Sequence, residues 1–188
     1  MTTTSETLAL APVLEAAIRR QVSEEVERQL AKRARKTTII AFSGDMDKLL
    51  AAFVIATGAA AMGFGVSIFF TFWGLCALKK ESLFKGKSLT EQMITALLSS
   101  GPGSLPVSRM NMLGLGGPFF RRVMKKKGVI SLEELIDLAR ESDVRMIACE
   151  MSMAVMGIRR EELLDCVELG GVATYLADAS ESGITLFL

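Results

Sequence analysis

Residues 144–157 read V-R-M-I-A-C-E-M-S-M-A-V-M-G, and their character changes at the cysteine. Met146, Ile147 and Ala148 form a short apolar run typical of a buried strand, whereas the methionine-rich residues after Cys149 have helical spacing. A cysteine between a strand and a helix lies close to unpaired backbone N–H groups, which favour the thiolate. Because ligand sites of open α/β sheets lie beyond the carboxyl ends of strands, Cys149 is the candidate for chemistry. The alternative is an inert, buried cysteine.

Strand-like and helix-like segments alternate along the rest of the chain. Two of the predicted helices begin with the capping box S-x-x-E, at Ser88 and at Ser131. This alternation predicts an α/β fold: a three-layer sandwich with a mainly parallel sheet of about five strands. The predicted strands besides the central one are 37–42, 66–71, 166–169 and 184–188, and the predicted helices include 46–61, 88–100, 119–127, 131–142 and 171–182.

The N-terminal residues predict a helical arm over residues 1–35, followed by an α/β domain over residues 36–188. Residues 1–7 are predicted to be irregular, and the helix to begin near Pro12. An apolar residue recurs at every fourth position, which predicts a helix packed on the domain or on a neighbouring subunit. A strict four-residue step drifts around a helix, which disfavours a long coiled-coil seam. The recurring residues are Leu14, Ile18, Val22, Val26 and Leu30.

Composition excludes several classes of function. The net charge of +1 gives no electrostatic case for nucleic-acid binding. With no histidine, a catalytic Ser-His-Asp or Cys-His arrangement is excluded, and three cysteines without a C-x-x-C motif predict neither a disulfide framework nor a metal site. No secretory signal is recognisable in residues 1–36, so we expect a cytoplasmic protein.

The segment from Leu49 to Leu78 contains no charged residue and has two interpretations. Its length is sufficient for a transmembrane helix, and peripheral membrane association is a further alternative. However, glycines interrupt it, and its second half, V-S-I-F-F-T, favours a strand. A strand–helix–strand unit is therefore the preferred interpretation, because a parallel strand pair needs a crossover of about this length.

Residues after the other strands complete the candidate site. Ser43 and Gly44 follow the first strand and could offer backbone N–H groups to an anion, or form a plain turn. Trp73 and Cys76 follow the second strand, where Cys76 is either a second thiol or, more simply, core. Cys166 is predicted to be core.

A long Gly/Pro-rich segment, residues 101–117, is predicted to be a loop with a binding or lid function. Its Met110 and Asn111 are candidate pocket residues, since methionine-rich surfaces are soft and adaptable. Gly86-Lys87-Ser88 resembles the end of a phosphate-binding loop, but Glu81 stands where that motif needs glycine. The sequence predicts no cofactor.

Six ordered segments carry a family resemblance. They are K-T-T-I-I-A-F-S-G-D-M-D-K at 36–48, F-F-T-F-W-G-L at 69–75, S-R-M-N-M-L-G-L-G at 108–116, M-K-K-K-G-V-I-S-L-E-E-L-I at 124–136, A-C-E-M-S-M-A-V-M-G-I at 148–158 and E-L-G-G-V-A-T-Y-L at 168–176. Together they resemble the DsrE/DsrF/DsrH-like family of sulfur-relay proteins, in its longer and more hydrophobic branch. The N-terminal helix lies outside the resemblance.

The resemblance implies a DsrE/flavodoxin-like topology, a homo-oligomer and a sulfurtransferase-like carrier that holds a persulfide on Cys149. It implies exchange of sulfane sulfur with rhodanese-like and TusA-like partners. In this hypothesis, the backbone at Glu150, Met151 and Ser152, together with Ser43-Gly44, stabilises the anion, and Glu150 points away from the thiolate. The alternatives are a non-catalytic interaction module and a membrane-associated accessory protein of sulfur metabolism.

Overall fold

The computed structural model describes residues 3–109 and 116–188. Five strands form one sheet in the order β4-β3-β2-β1-β5, and every neighbouring pair is parallel. This confirms the predicted fold class. The order contrasts with the 2-1-3-4-5 order of flavodoxin itself, because the last strand lies beside β1. The strands are β1 Lys36–Ala41, β2 Gly65–Phe70, β3 Arg145–Cys149, β4 Glu168–Gly170 and β5 Ile184–Phe187.

Seven helices accompany the sheet in the described ranges, and three short 3₁₀ segments lie at Phe72–Leu78, Pro102–Ser104 and Arg160–Glu162. Both predicted capping boxes are present: the hydroxyls of Ser88 and Ser131 accept hydrogen bonds from the backbone N–H groups of Glu91 and Glu134. The helices are α1 Thr3–Ala34, α2 Met46–Ala61, α3 Leu89–Leu97, α4 Gly116–Lys126, α5 Leu132–Glu141, α6 Glu150–Met156 and α7 Val172–Ser180.

The two faces of the sheet carry different side chains, because successive strand residues point to opposite faces. On one face, the main core includes Ile39, Ile68 and Met146 together with residues of α2 and α5. On the other face, Phe69, Ile147 and Cys149 form a smaller cluster against Tyr175 of α7. The helices on both faces complete the three layers.

One sequence prediction about a helix is corrected, and the preferred interpretation of the uncharged segment is confirmed. Residues 3–7 belong to α1, which runs from Thr3 to Ala34, and are not irregular. The uncharged segment from Leu49 to Leu78 forms most of α2, then β2 and a 3₁₀ segment, which is the strand–helix–strand interpretation. Within the described ranges, we find no helix that combines the length and the apolar character needed to cross a membrane.

Candidate functional site

Cys149 lies where the sequence places it, at the junction of a strand and a helix. It is the last residue of β3 and the N-cap residue of α6, with extended backbone angles (φ −72°, ψ 111°). The first N–H groups of an α-helix have no partner within the helix, so they are directed toward the N-cap residue. The thiol is 4% exposed.

Aromatic and aliphatic side chains surround Cys149 on its face of the sheet. It clusters with Phe69 and Ile147 and with the half-buried Tyr175, whose ring centroid is 5.7 Å from that of Phe69. On the neighbouring edge strand, the register partner of Cys149 is Gly170. A Cβ atom at position 170 would lie 3.0 Å from the Ile147 side chain and 3.0 Å from the Thr174 hydroxyl, so this close packing explains the glycine.

The three residues after Cys149 differ in exposure. Glu150 is exposed, in accord with the expectation that its carboxylate points away from the thiol, and Met151 is also exposed. Ser152 is fully buried, and its hydroxyl lies 2.7 Å from the hydroxyl of Thr71. This hydrogen bond joins the first turn of α6 to the residue after β2.

Four other predicted site residues lie together, in a separate place. Ser43, Gly44, Trp73 and Cys76 line a cavity of about 280 Å³ beyond the ends of β1 and β2. The remaining lining residues are Asp45, Leu97, Leu98, Ser99, Leu105 and Pro106. The candidate site therefore consists of two groups, one around Cys149 and one around Cys76. Met110 and Asn111 lie outside the described residues.

In the Ser43-Gly44 turn, Ser43 already forms hydrogen bonds within the protein. The backbone N–H of Ser43 donates to the carbonyl oxygen of Leu188 at 3.2 Å, and the Ser43 hydroxyl donates to Asp45 at 2.9 Å. A Cβ atom on Gly44 would lie 3.0 Å from the carbonyl oxygen of Trp73, which explains the glycine. The turn at Ser43 and Gly44 therefore packs closely against Trp73.

Cys76 is buried in the main core, beside the fully buried Leu75. Burial raises the pKa of the Cys76 thiol, although the nearby Lys79 ammonium and the Ser99 backbone oppose the rise. Cys149 belongs instead to the cluster with Phe69 and Ile147, so the two thiols lie in different groups of buried residues. Cys166, which was predicted to be core, is exposed. That prediction was wrong because β4 begins two residues later, at Glu168, and leaves Cys166 in the preceding turn.

Sequence reasoning missed a group of buried charges next to Cys76. The Lys87 ammonium and the Glu162 carboxylate form an ion pair of 2.5 Å, with side chains that are 1% and 0% exposed. Glu162 also accepts hydrogen bonds from the backbone of Leu83 and Arg159. Lys79 is buried too, and burial lowers its pKa while Glu162 opposes this. Lys87 belongs to the Gly86-Lys87-Ser88 segment, but its partner is 75 residues away, so no local signal could have found the pair.

Comparisons with known proteins agree with the resemblance inferred from the segments. Residues 33–187 match the model of the DsrE/DsrF/DrsH-like family. The uncharacterized protein YrkE of Bacillus subtilis is 43% identical over 85% of this chain and 100% of its own length. The sulfur carrier protein DsrE2 of Allochromatium vinosum is 35% identical over 82% of this chain and 98% of its own length. The crystal structure of the ychN protein from E. coli covers 82% of this chain and 99% of its own, with a TM-score of 0.48 and 12% identity.

Proposed function

Because this chain belongs to the DsrE/DsrF/DrsH-like family, we propose that it accepts sulfane sulfur as a persulfide on Cys149 and passes it to a partner thiol. The observation that carries the proposal is the position of Cys149 at the junction of β3 and α6, inside the family match. The name of the Allochromatium vinosum relative, a sulfur carrier, supports the same role.

The proposed chemistry needs no base outside the thiol. The Cys149 thiolate attacks the terminal sulfur of a donor persulfide, R–S–S⁻, and the donor leaves as the thiolate R–S⁻. The product is Cys149–S–S⁻. A thiolate of the acceptor then attacks the terminal sulfur, which forms the acceptor persulfide and returns Cys149 as a thiolate. Neither step changes the net redox state, and the absence of histidine from the chain is no obstacle.

The chain's own groups would assist by holding the anion and by controlling access. Backbone N–H groups in the first turn of α6 would stabilise the thiolate and the persulfide, because both carry negative charge at the positive end of a helix. A partner thiol would approach from the side of β4, where Gly170 lies opposite Cys149. Since β4 is a three-residue strand at the edge of the sheet, its displacement would break strand pairing with β3 alone.

The proposal also includes the partner proteins, the compartment and the assembly in which the reaction takes place. The donors and acceptors would be rhodanese-like and TusA-like proteins, and the relay would operate in a reducing cytoplasm, where free thiols persist. The protein would act as a homo-oligomer, with residues 36–188 as the sulfur-carrying domain and residues 1–35 as a separate arm.

Persulfide loading tests the proposal directly. The full chain is incubated with polysulfide, freed of excess reagent and measured by intact mass spectrometry under non-reducing conditions. We expect a species heavier by one sulfur atom, with the added sulfur mapped to the Cys149 peptide. Cys149→Ser should lose this species, whereas Cys76→Ser and Cys166→Ser should keep it. Equal loading of the parent and Cys149→Ser would refute the proposal.

The burial of Cys149 favours one competing function, a non-catalytic interaction module in which this thiol is only a small core residue. Labelling of the native protein with iodoacetamide at neutral pH distinguishes the two. The carrier requires Cys149 to be alkylated faster than Cys76, whose thiol pKa is raised by burial. The interaction module requires both thiols to stay unlabelled while the exposed Cys166 reacts.

A further inference from the structure

The hydroxyl of Thr174 lies on the face of the sheet that carries the Cys149 side chain. Thr174 is half-buried, and its hydroxyl oxygen would be 3.0 Å from a Cβ atom on Gly170. Gly170 is the register partner of Cys149, and paired residues of neighbouring strands direct their side chains to the same face. Ile147, which clusters with Cys149, would lie equally close to that Cβ atom, in agreement with this placement.

The path of α7 brings the hydroxyl toward Cys149. The chain passes from Gly170 on β4 to Tyr175, whose ring contacts that of Phe69 on β2. Since β3 lies between β4 and β2, the first turn of α7 crosses β3, the strand that ends at Cys149. Thr174 belongs to this first turn, directly before Tyr175.

The side chain of Thr174 is directed toward the sheet. Asp178, four residues later on α7, is buried and accepts hydrogen bonds from Lys36 at 2.9 Å and from Arg145 at 3.0 Å, both of which lie on the sheet. Residues four apart share one side of a helix, so Thr174 lies on the side of α7 that Asp178 anchors. Leu176, on the opposite side of the helix, is 57% exposed.

The Thr174 hydroxyl differs from those of two other helical threonines. Thr57 and Thr95 each donate a hydrogen bond to the carbonyl oxygen four residues earlier, at 2.8 Å and 2.7 Å. The hydroxyl of Thr174 forms no such bond, nor any other hydrogen bond within the part of the chain that the structure describes. It is therefore a donor that is available to a polar group formed beside Gly170.

A persulfide on Cys149 would be such a group. Neighbouring strands are about 4.8 Å apart, so the Cβ atom of Cys149 is roughly this far from the Cβ position of Gly170. The second sulfur extends the Cys149 side chain by about 2 Å. It also carries the negative charge, and hydrogen bonds to charged acceptors are the stronger ones.

We propose that the Thr174 hydroxyl donates a hydrogen bond to the terminal sulfur of Cys149–S–S⁻ and thereby stabilises the loaded carrier but not the unloaded one. This inference rests on the proposed function, because it concerns the persulfide. The hydrogen bond shifts the exchange Cys149–S–S⁻ + R–S⁻ ⇌ Cys149–S⁻ + R–S–S⁻ toward the loaded protein. It involves no proton transfer and no change in redox state.

Equilibration with glutathione tests the proposal. The polysulfide-loaded full chain is mixed with glutathione at neutral pH without oxygen, and intact mass spectrometry measures the loaded fraction. We expect Thr174→Val to lower the equilibrium constant for loading about ten-fold, because a hydrogen bond to a charged group is lost. Thr174→Ala should give the same fall, whereas Thr174→Ser, which keeps the hydroxyl, should retain the parent value.

Thr57→Val is the matched control, since its hydroxyl is bonded within α2, and it should leave the equilibrium constant unchanged. A second measurement separates the proposed role from a structural one. The pH dependence of iodoacetamide alkylation at Cys149 in the unloaded protein should be the same in the parent and in Thr174→Val. Urea titration establishes that each variant is folded.

Three results would overturn the proposal while leaving the carrier function intact. They are an unchanged equilibrium constant in both Thr174→Val and Thr174→Ala, an equal fall in Thr174→Ser, and a shifted alkylation profile of the unloaded thiol in Thr174→Val. A parent chain that acquires no persulfide at Cys149 would overturn both the carrier function and this inference.

Discussion

Cys149 ends one strand and Cys76 follows another strand of the same sheet, yet the chain leaves the two strands differently. After β3 it enters α6, and the first two residues, Glu150 and Met151, are exposed. After β2 it forms a 3₁₀ segment in which Leu75 and Ala77 are fully buried. A cysteine at or after the end of a strand is therefore not sufficient to determine the environment of the thiol. The segment that comes next, and the face that it covers, determine it.

The largest expected effect concerns the buried charges beside Cys76. Glu162→Gln removes the carboxylate that pairs with Lys87 and leaves a buried ammonium without its counter-charge. We expect the free energy of unfolding, measured by urea titration, to fall by about 3–5 kcal/mol. If these buried charges stabilise only the region around Cys76, the folded fraction of Glu162→Gln should still acquire a persulfide at Cys149. Intact mass spectrometry measures this.

Asp165→Asn provides the matched control, because Asp165 forms an exposed pair with Lys80 at 2.8 Å. Its effect on the free energy of unfolding should be much smaller than that of Glu162→Gln, because exposed ion pairs contribute little. A loss from Glu162→Gln no larger than that from Asp165→Asn would show that the buried pair does not stabilise this side of the sheet.

A smaller effect is expected at the hydrogen bond between α6, which follows Cys149, and the end of β2, which precedes Cys76. Ser152→Ala removes the hydroxyl that binds Thr71 and joins α6 to the end of β2. We expect a loss of about 1 kcal/mol in the free energy of unfolding. A double-mutant cycle with Thr71→Val should give a coupling energy of roughly 0.5–1.5 kcal/mol. Ser180→Ala on α7, where the hydroxyl is exposed, should change little, and additive losses at 71 and 152 would contradict the link.

The smallest effect is the pH dependence that Cys76 contributes. Burial raises the pKa of its thiol above the ordinary value of 9.0, so the folded state holds this proton more firmly than the unfolded chain. The corresponding stability is fully present below about pH 9 and is lost as pH rises through the folded pKa. Urea titrations between about pH 8 and about pH 10 should show a shallower alkaline loss for Cys76→Ala than for the parent. Cys166→Ala, at an exposed thiol, should retain the slope of the parent.

Local signals were sufficient for most of the fold. The apolar run at 146–148 and the β-branched run at 37–42 predicted two strands, and the serines at 88 and 131 marked two helix starts, because each pattern depends on residues within one turn or one strand. The junction at Cys149 followed from the same signals. The alternation of side chains in β3 also explains why Cys149 shares a face with Ile147.

Features that depend on distant partners could not be predicted. Lys87 and Glu162 are 75 residues apart, and nothing in either neighbourhood shows that their charges are buried together. The division of the candidate site into two groups likewise depends on how the 3₁₀ segment turns Cys76 into the main core. Cys166 was assigned to the core because its strand was expected to begin two residues too early.

The strand order β4-β3-β2-β1-β5 has a consequence for how the molecule is assembled. Residues 3–109 supply β1 and β2, which lie inside the sheet, while residues 116–188 supply β3 and β4 on one flank and β5 on the other. Neither half contains all the strands with which its own strands pair, so each half needs the other to complete the sheet. A chain cut between these two ranges should stay together as a non-covalent complex, and neither fragment should form this sheet alone. Pairing of β1 with β5 joins the two ends of the domain, which is the kind of distant contact that slows folding.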